Sequence, residues 1–121
     1  MTNKSILIAE DNDLNYFVIS KMLTSLGTDI IRAENGLKAV EYCKSHEEIS
    51  LVLMDIKMPV MDGYEATKEI RKIRPDLPII AQTAHANEYD RDTAFKIGCN
   101  DYLTKPIMQD RLIEVVKKYL G

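Results

Sequence analysis

Acidic side chains follow two apolar segments of the sequence. Glu10 and Asp11 come directly after SILIA, and Asp55 closes ISLVLMD. If folding brought these carboxylates to about 6 Å from one another, each ionised pair would repel by roughly 3 kcal/mol at an effective dielectric near 20. Three such pairs would rival the net stability of a small domain, roughly 5–15 kcal/mol. The pattern therefore predicts that the acids either hold protons or bind a cation.

Thr83 and Lys105 follow two further apolar segments and add a hydroxyl and an ammonium group. A site made of oxygen atoms with few protein ligands suits Mg²⁺ better than zinc or a fully enclosed calcium ion. A carboxylate beside Mg²⁺, a lysine and a hydroxyl could accept a phosphoryl group, because that reaction mainly needs positioning and neutralisation of charge. Asp55 would then be the nucleophile. Taken singly, each residue is also explained as a solvated polar side chain at a strand end.

The elements that must position these residues are five apolar segments of strand length, which alternate with amphipathic segments of helical length. We predict strands over residues 5–10, 29–33, 49–55, 77–83 and 101–105, each followed by a helix. Gly27 is predicted to end the first helix, Pro75 the third, and Asn87 to cap the fourth. This alternation implies an α/β fold with a doubly wound, five-stranded parallel sheet. The working site of such a sheet lies beyond the carboxyl ends of its strands.

Length and charge limit the classes of function. The 121 residues fit one domain, which we predict over residues 1–121 because no linker or repeat interrupts them. The net charge of -3 disfavours direct binding of nucleic acid, which needs clustered basic residues. The largest basic group is mixed with glutamates on the predicted third helix, and we interpret it as a solvated helix face made by Lys68, Arg71, Lys72 and Arg74.

The sequence shows neither a membrane segment nor a metal-binding cysteine pattern. Its apolar segments are too short to span a bilayer, and no signal-peptide pattern precedes the first strand. We therefore expect a cytoplasmic protein, or the cytoplasmic part of a larger assembly, without membrane insertion. Cys43 and Cys99 lie far apart and are expected to be small core residues.

In this order, the residues resemble the receiver domain of two-component response regulators, from about Lys4 to Leu120. The motifs that carry the resemblance are IAEDNDLN (8–15), LMDIKMPVMDGYEAT (53–67), IIAQTAHA (79–86) and GCNDYLTKPI (98–107). They are most similar to receivers attached to hybrid sensor histidine kinases. The resemblance implies a flavodoxin-like (βα)5 fold with strand order 2-1-3-4-5. It also implies a phosphodonor, either a histidine kinase or a histidine phosphotransfer protein, and a downstream output protein or domain.

The resemblance assigns a role to each matching residue at the acidic end of the site. Asp55 matches the phosphoacceptor of the family. Glu10 and Asp11 match the acidic pair that holds Mg²⁺, or Mn²⁺ as a substitute, together with Asp55 and the backbone carbonyl of Lys57. Such a domain catalyses its own phosphotransfer and dephosphorylation, and no turnover of an external substrate is expected.

The remaining matches concern the switch. Thr83 matches the hydroxyl that moves toward the phosphoryl group, and Lys105 matches the lysine that contacts it, with a typically cis Lys105–Pro106 bond. Tyr102 matches the aromatic switch residue, although an aromatic residue in a strand is also explained as plain core. In the family, phosphorylation changes the surface made by the fourth helix, the fifth strand and the fifth helix.

Positions near the pocket vary within the family. Lys57 and His85 match places that flank the phosphoryl group and tune attack by water. Leu14, Asn15 and Phe17 lie where family members dock the phosphodonor, while core packing remains an equal alternative for Leu14 and Phe17.

Three other functions are open to a sheet of this kind. Phosphatases of the haloacid dehalogenase type have a DxD motif, in which the second acid protonates the leaving group. In this sequence Lys57 occupies the position of that second acid. A flavodoxin-like binder of flavin mononucleotide needs a first loop that accepts phosphate, whereas EDND would repel it. A receiver-shaped interaction module that is never phosphorylated is the third alternative, and no feature of the sequence favours it.

Overall fold

The computed structural model describes residues 4–84 and 87–120. Over these residues, strands and helices alternate as predicted. They are β1 (Ser5–Ala9), α1 (Asp13–Met22), a 3-10 turn (Thr24–Leu26), β2 (Asp29–Ala33), α2 (Gly36–Ser45), β3 (Ile49–Asp55), α3 (Gly63–Ile73), β4 (Ile79–Thr83), α4 (Glu88–Ile97), β5 (Asp101–Thr104) and α5 (Gln109–Leu120). The five strands form one parallel sheet in the order β2-β1-β3-β4-β5. This order confirms the expected fold.

Two apolar cores lie on the two faces of the sheet. On one face, the strands pack against α2, α3 and α4, whose buried residues include Val40, Ile70 and Ala94. On the other face, they pack against α1 and α5 through Ile19 and Leu112, among others. Strands covered on both sides need apolar residues at consecutive positions, which explains why their sequences lack polar alternation. The two cysteines are buried, as predicted.

Side-chain caps place the starts of four helices at the edge of the sheet where the strands end. In each case an amide or carboxylate oxygen accepts a hydrogen bond from the backbone N–H three residues later, which satisfies a donor that the helix itself leaves unpaired. The capping residues are Asn12, Asn35, Asp62 and Asn87. The predicted cap at Asn87 is confirmed, whereas Ala86, where that helix was expected to begin, lies outside the described residues.

Several boundaries differ from the prediction. Helix α1 ends at Met22, and Gly27, with φ 65°, closes the short 3-10 turn that follows. The Ser20 hydroxyl donates to the carbonyl of Phe17 and the Thr24 hydroxyl to that of Ser20, so polar side chains compete for carbonyls near the end of the helix. Strand β4 starts at Ile79 because its ladder with β3 begins there, after Pro78, which has no N–H to donate. None of the helices in residues 4–84 and 87–120 has the length and hydropathy that crossing a bilayer requires.

The prediction of a solvated basic face on α3 is wrong for Arg71 and Arg74, which are half-buried. The Arg71 guanidinium donates to the carbonyl oxygens of Gly98 at 2.8 Å and Leu77 at 2.6 Å, and to Asn100 Oδ1 at 2.6 Å. Arg74 Nη2 donates to the carbonyl of Ile49 at 2.7 Å. These bonds connect the end of α3 with the chain segments at the starts of β3, β4 and β5. Lys68 and Lys72 are exposed, as predicted.

Candidate functional site

The structure brings the three predicted carboxylates together at the carboxyl ends of β1 and β3. Oxygen atoms of Glu10, Asp11 and Asp55 all lie within 4.8 Å of one another. Glu10 and Asp55 are buried, whereas Asp11 is exposed. Because β1 and β3 are neighbours and parallel, their last residues reach the same edge of the sheet.

Lys105 supplies a positive charge to this cluster. Its Nζ lies 3.1 Å from Asp55 Oδ1 and 3.7 Å from Glu10 Oε1. The Lys105–Pro106 peptide bond is cis, as the family resemblance implies. The backbone N–H of Lys105 donates to the carbonyl of Thr83 at 2.8 Å, which extends the pairing of β4 and β5 by one residue. One ammonium group therefore faces two buried carboxylates.

Burial shifts the ionisation of Glu10. Its pKa rises from 4.5 to about 7, chiefly because burial disfavours the charged carboxylate. The backbone N–H of Asn12, which donates to Glu10 Oε2 at 3.2 Å, and the Lys105 charge act in the opposite direction, while the Asp55 charge raises the pKa further. Within the described part of the chain, the other oxygen, Oε1, is buried without a hydrogen-bond partner. The cluster thus contains an acceptor suited to a proton or a cation.

The loop between β3 and α3 is held by its backbone on two sides. The N–H of Gly63 donates to the carbonyl of Ile56 at 2.8 Å, and the N–H of Gly36 on α2 donates to the carbonyl of Met61 at 3.0 Å. A Cβ atom at Gly63 would lie 2.2 Å from the Asp55 carbonyl oxygen, and one at Gly36 would lie 2.1 Å from the Met61 carbonyl oxygen. Both contacts require glycine, so these two residues fix where the loop runs.

Lys57 and Val60 lie on this loop. The backbone N–H of Lys57 donates to Asp55 Oδ1 at 3.4 Å, and Lys57 lines the same cleft as the carboxylates. Val60 has φ 69°, and the N–H of Met61 donates to the carbonyl of Pro59 at 2.7 Å across it. These features define a γ-turn with a β-branched residue in a left-handed conformation, which is strained. Lys57 therefore lies beside the cluster at the start of a tightly turned loop.

Thr83 lines the cleft, but Tyr102 does not. The cleft has a volume of about 320 Å³ and is also lined by Glu10, Asp11, Asp55, Lys57 and Lys105. Thr83 is the last residue of β4 and is 9% exposed. Tyr102 is half-buried on the α4 side, where its ring packs edge-on against Phe95 with 6.4 Å between ring centroids. His85 lies outside the described residues.

The start of α1 presents apolar side chains beside the cleft. Leu14 is 69% exposed and Phe17 is 55% exposed, which excludes the core-packing alternative for both. The neighbouring Val18 is 41% exposed, whereas Ile19 carries the buried face of the helix. Asn15 lines the cleft, as its predicted position near the pocket implies.

Sequence reasoning missed several residues of the site. Gln82 lines the cleft and is 1% exposed. Tyr64 and Asp90 also line it, and the Tyr64 hydroxyl donates to the carbonyl of Asp90 at 3.4 Å, which joins α3 to the first turn of α4. The sequence did offer a signal for Gln82: it is a polar residue that follows three apolar residues in IIAQT and directly precedes Thr83, whose hydroxyl was predicted to belong to the site.

The sequence matches a known family over most of its length. The family model of the response regulator receiver domain matches residues 6–117, and the chain belongs to this family. Receiver domains are signalling modules of two-component systems rather than enzymes that turn over an external substrate. The predicted family is therefore confirmed.

Two relatives show the range of proteins that contain this unit. The chain is 39% identical to the polar-differentiation response regulator DivK of Brucella anthropi, over 98% of this chain and 97% of that protein. It is 42% identical to the hybrid signal transduction protein dokA of Dictyostelium discoideum, over 97% of this chain. The chain spans only 7% of dokA. The unit is thus similar both to a short response regulator and to part of a long hybrid protein.

Two solved structures share the fold. The receiver domain of the sensor histidine kinase PA1611 from Pseudomonas aeruginosa, solved with a magnesium ion coordinated in its active site cleft, has a TM-score of 0.89 and 39% identity, and 98% of each chain is covered. The receiver domain of Ssk1 from Saccharomyces cerevisiae, crystallised with the histidine phosphotransfer protein Ypd1, has a TM-score of 0.90 and 31% identity. In that comparison, 98% of this chain and 89% of the other are covered.

Proposed function

We propose that this receiver domain accepts a phosphoryl group from phosphohistidine onto Asp55, with Mg²⁺ as its cofactor and Mn²⁺ as a substitute. The observation that carries the proposal is the position of the Asp55 carboxylate. It borders an open cleft, lies 3.1 Å from the Lys105 ammonium, and belongs to a cluster of three acids.

The residues of the cluster fit a magnesium ion. Hard oxygen ligands and a site open to water are what Mg²⁺ requires, and Glu10 Oε1 is a buried acceptor without a hydrogen-bond partner among the described residues. Glu10, Asp11 and Asp55 would hold the ion together with the carbonyl of Lys57. When bound, Mg²⁺ neutralises charge on the transferred phosphoryl oxygens. The magnesium ion in the cleft of the PA1611 receiver supports this assignment.

The side chains of the cleft have separate tasks in the transfer. A carboxylate oxygen of Asp55 forms the new bond to phosphorus while the phosphorus–nitrogen bond of phosphohistidine breaks, and the imidazole nitrogen keeps the electron pair. The Lys105 ammonium neutralises negative charge on one phosphoryl oxygen, and the Thr83 hydroxyl donates to another. Attack of water on the phosphorus of the aspartyl phosphate releases inorganic phosphate and regenerates the carboxylate, so the domain resets itself without turning over an external substrate.

The partners follow from this chemistry. A histidine kinase or a histidine phosphotransfer protein would supply the phosphoryl group, and the complex of the Ssk1 receiver with Ypd1 supports such a partner. We infer that the exposed side chains of Leu14 and Val18 contact the donor, because they line a groove together with Glu10 and Lys105 of the site, and that Phe17, exposed on the same helix, extends this surface.

The signal would leave the domain through the surface that carries Tyr102. Movement of Thr83 toward the phosphoryl group would let Tyr102 reorient and change the surface of α4, β5 and α5, which a downstream protein or domain reads. We assign residues 1–121 to one domain, since the described elements share a single sheet. We also place it in the cytoplasm or in the cytoplasmic portion of a membrane-bound hybrid kinase, where histidine kinases hold their phosphohistidine.

Mass spectrometry of the intact protein tests the proposal. After incubation with Mg²⁺ and acetyl phosphate, we expect the wild type to gain one phosphoryl group and Asp55→Asn to gain none. Asp76→Asn is the matched control, because Asp76 is exposed at the other end of the sheet and should leave the gain intact. An unmodified wild type, or a phosphoryl group that persists in Asp55→Asn, would contradict the mechanism.

A further inference from the structure

Gln82 is a buried polar residue without an obvious structural purpose. It is 1% exposed, and among the described residues neither Oε1 nor Nε2 of its amide has a hydrogen-bond partner. Burying an unpaired amide is unfavourable, and native proteins contain few such groups. An orphaned amide that lines a functional cleft therefore points to a role in that cleft.

The alternation of β4 places Gln82 on the same face of the sheet as Asp55. Ile80 belongs to the core under α1 and α5, and Gln82 follows it by two residues. Asp55 follows Leu53 of the same core by two residues on β3. Gln82 and Asp55 are partners in the register of the two strands, so their side chains leave the sheet side by side.

Lys105 lies on the same face of the sheet, two residues beyond the place on β5 that pairs with Gln82. It follows Leu103, which belongs to the same core and is the register partner of Gln82 on β5. The bond from the Lys105 N–H to the Thr83 carbonyl continues the strand pairing to this position. The side chain of Lys105 reaches Asp55 on β3, and therefore crosses β4, the strand that carries Gln82. Gln82 is thus carried by the strand that lies between those of Asp55 and Lys105.

The three side chains have complementary hydrogen-bonding groups. The ammonium of Lys105 has three N–H donors, and its Nζ lies 3.1 Å from Asp55 Oδ1 but 3.7 Å from Glu10 Oε1, beyond hydrogen-bond distance. The amide oxygen of Gln82 can accept a hydrogen bond from this ammonium, and its NH₂ group can donate to a carboxyl oxygen of Asp55. An aspartyl phosphate keeps one carboxyl oxygen as an acceptor for that NH₂ group.

We propose that Gln82 is a positioning residue for phosphoryl transfer: its amide is unpaired among the described residues here, and Oε1 accepts a hydrogen bond from the Lys105 ammonium when that group turns from the carboxylates to the phosphoryl group. This inference rests on the proposed function of Asp55. Without the amide, the long lysine side chain would sample more rotamers, and its charge would be less often in place to neutralise the phosphoryl group.

The test replaces Gln82 by methionine, which has a similar length and no strong hydrogen-bonding group. We expect phosphorylation by acetyl phosphate at saturating Mg²⁺ to slow by roughly tenfold, the scale of a small misplacement of a catalytic group. The urea midpoint should stay the same or rise, because an unpaired buried amide is removed. Ile80→Met is the control. It changes a core residue on the same face of β4, two residues before Gln82, and should leave the rate within about twofold.

A double variant shows whether Gln82 acts through Lys105. In a Lys105→Met background, Gln82→Met should cause no further loss of rate, because the group that it positions is absent. A rate for Gln82→Met within twofold of the wild type would overturn the inference, and so would an additive loss in the double variant. If the wild type itself gains no phosphoryl group, the proposed function of Asp55 fails instead.

A second measurement covers the case in which Gln82→Met does not fold. The side-chain amide signals of Gln82 can be followed by nuclear magnetic resonance in the wild type and in Lys105→Met, both in the presence of Mg²⁺ and acetyl phosphate. They should shift between the two proteins by more than the side-chain amide signals of Asn87, which caps α4. Unchanged Gln82 signals would overturn the proposal.

Discussion

Replacement of Glu10 by glutamine should change how stability depends on pH. In the folded protein the pKa of Glu10 is about 7, against 4.5 for an unperturbed glutamate. Between these two pH values, the folded protein holds a proton that the unfolded chain has already released. The stabilisation from this group is therefore fully present below pH 4.5 and is lost as the pH rises through 7.

The interval between the two pKa values sets the size of the effect. At about 1.4 kcal/mol per pH unit, the loss amounts to roughly 3 kcal/mol. Glu10→Gln carries no titrating group at this position and resembles the protonated acid in shape. Without divalent metal, the variant should match the wild type near pH 4 and exceed its unfolding free energy by about 3 kcal/mol at pH 8.

Urea unfolding at a series of pH values, in a chelating buffer, measures this difference. Every other titrating group is common to both proteins, so the difference between their unfolding free energies reports Glu10 together with its interactions with Asp55 and Lys105. Glu47→Gln, at an exposed position, is the matched control and should keep a constant difference from the wild type. If the curves of wild type and Glu10→Gln ran parallel from pH 4 to pH 8, the Glu10 carboxyl would titrate alike in the folded and unfolded chains, and its burial would not raise its pKa.

Three further changes test the framework around the site by urea unfolding at neutral pH. Arg71→Lys should destabilise the protein by about 3 kcal/mol, because an ammonium cannot reach all the oxygens that the guanidinium contacts, and equal stability would contradict this. Val60→Gly should stabilise it by about 1 kcal/mol, since glycine adopts φ 69° without strain, and a loss of stability would show that the turn is not strained. Gly36→Ala should destabilise it by at least about 2 kcal/mol, because the methyl group would overlap the Met61 carbonyl, and a neutral result would mean that the loop moves freely.

The strands were predictable because their boundaries have strong local causes. Strands β2 and β3 begin and end at the predicted residues, 29–33 and 49–55. Strand β3 is an apolar, buried segment and β2 has Ile30 and Ile31 at its centre, and both are limited by polar or turn-forming residues. The start of β4 depends instead on where its ladder with β3 begins, which is a property of the pair and not of the segment.

The helices show what periodicity leaves undetermined. The apolar residues of α1 repeat with helical spacing, but only tertiary structure decides that Ile19 is covered while Leu14 and Phe17 remain exposed. The guanidinium of Arg71 folds back onto backbone carbonyls that are distant in sequence, which a count of charges on a helix face cannot reveal.

The chemistry of the site was more predictable than its supporting residues. Asp55, Thr83 and Lys105 occur at strand ends, where the topology of a parallel sheet forces them together. Gln82 faces the same cleft from within a strand, and its neighbours are identified only by the register of β3, β4 and β5.

The loop that carries Lys57 owes its path to main-chain contacts at Gly36 and Gly63, while the side chains of Lys57, Pro59 and Val60 point to solvent. The main chain therefore fixes where this loop runs, and its side chains can vary without changing that path. If Asp55 is phosphorylated as proposed, side chains there can be exchanged, in evolution or by engineering, to change the lifetime of the phosphorylated form without changing the main-chain contacts at Gly36 and Gly63. The duration of the signal could then vary independently of the residues that carry out the transfer.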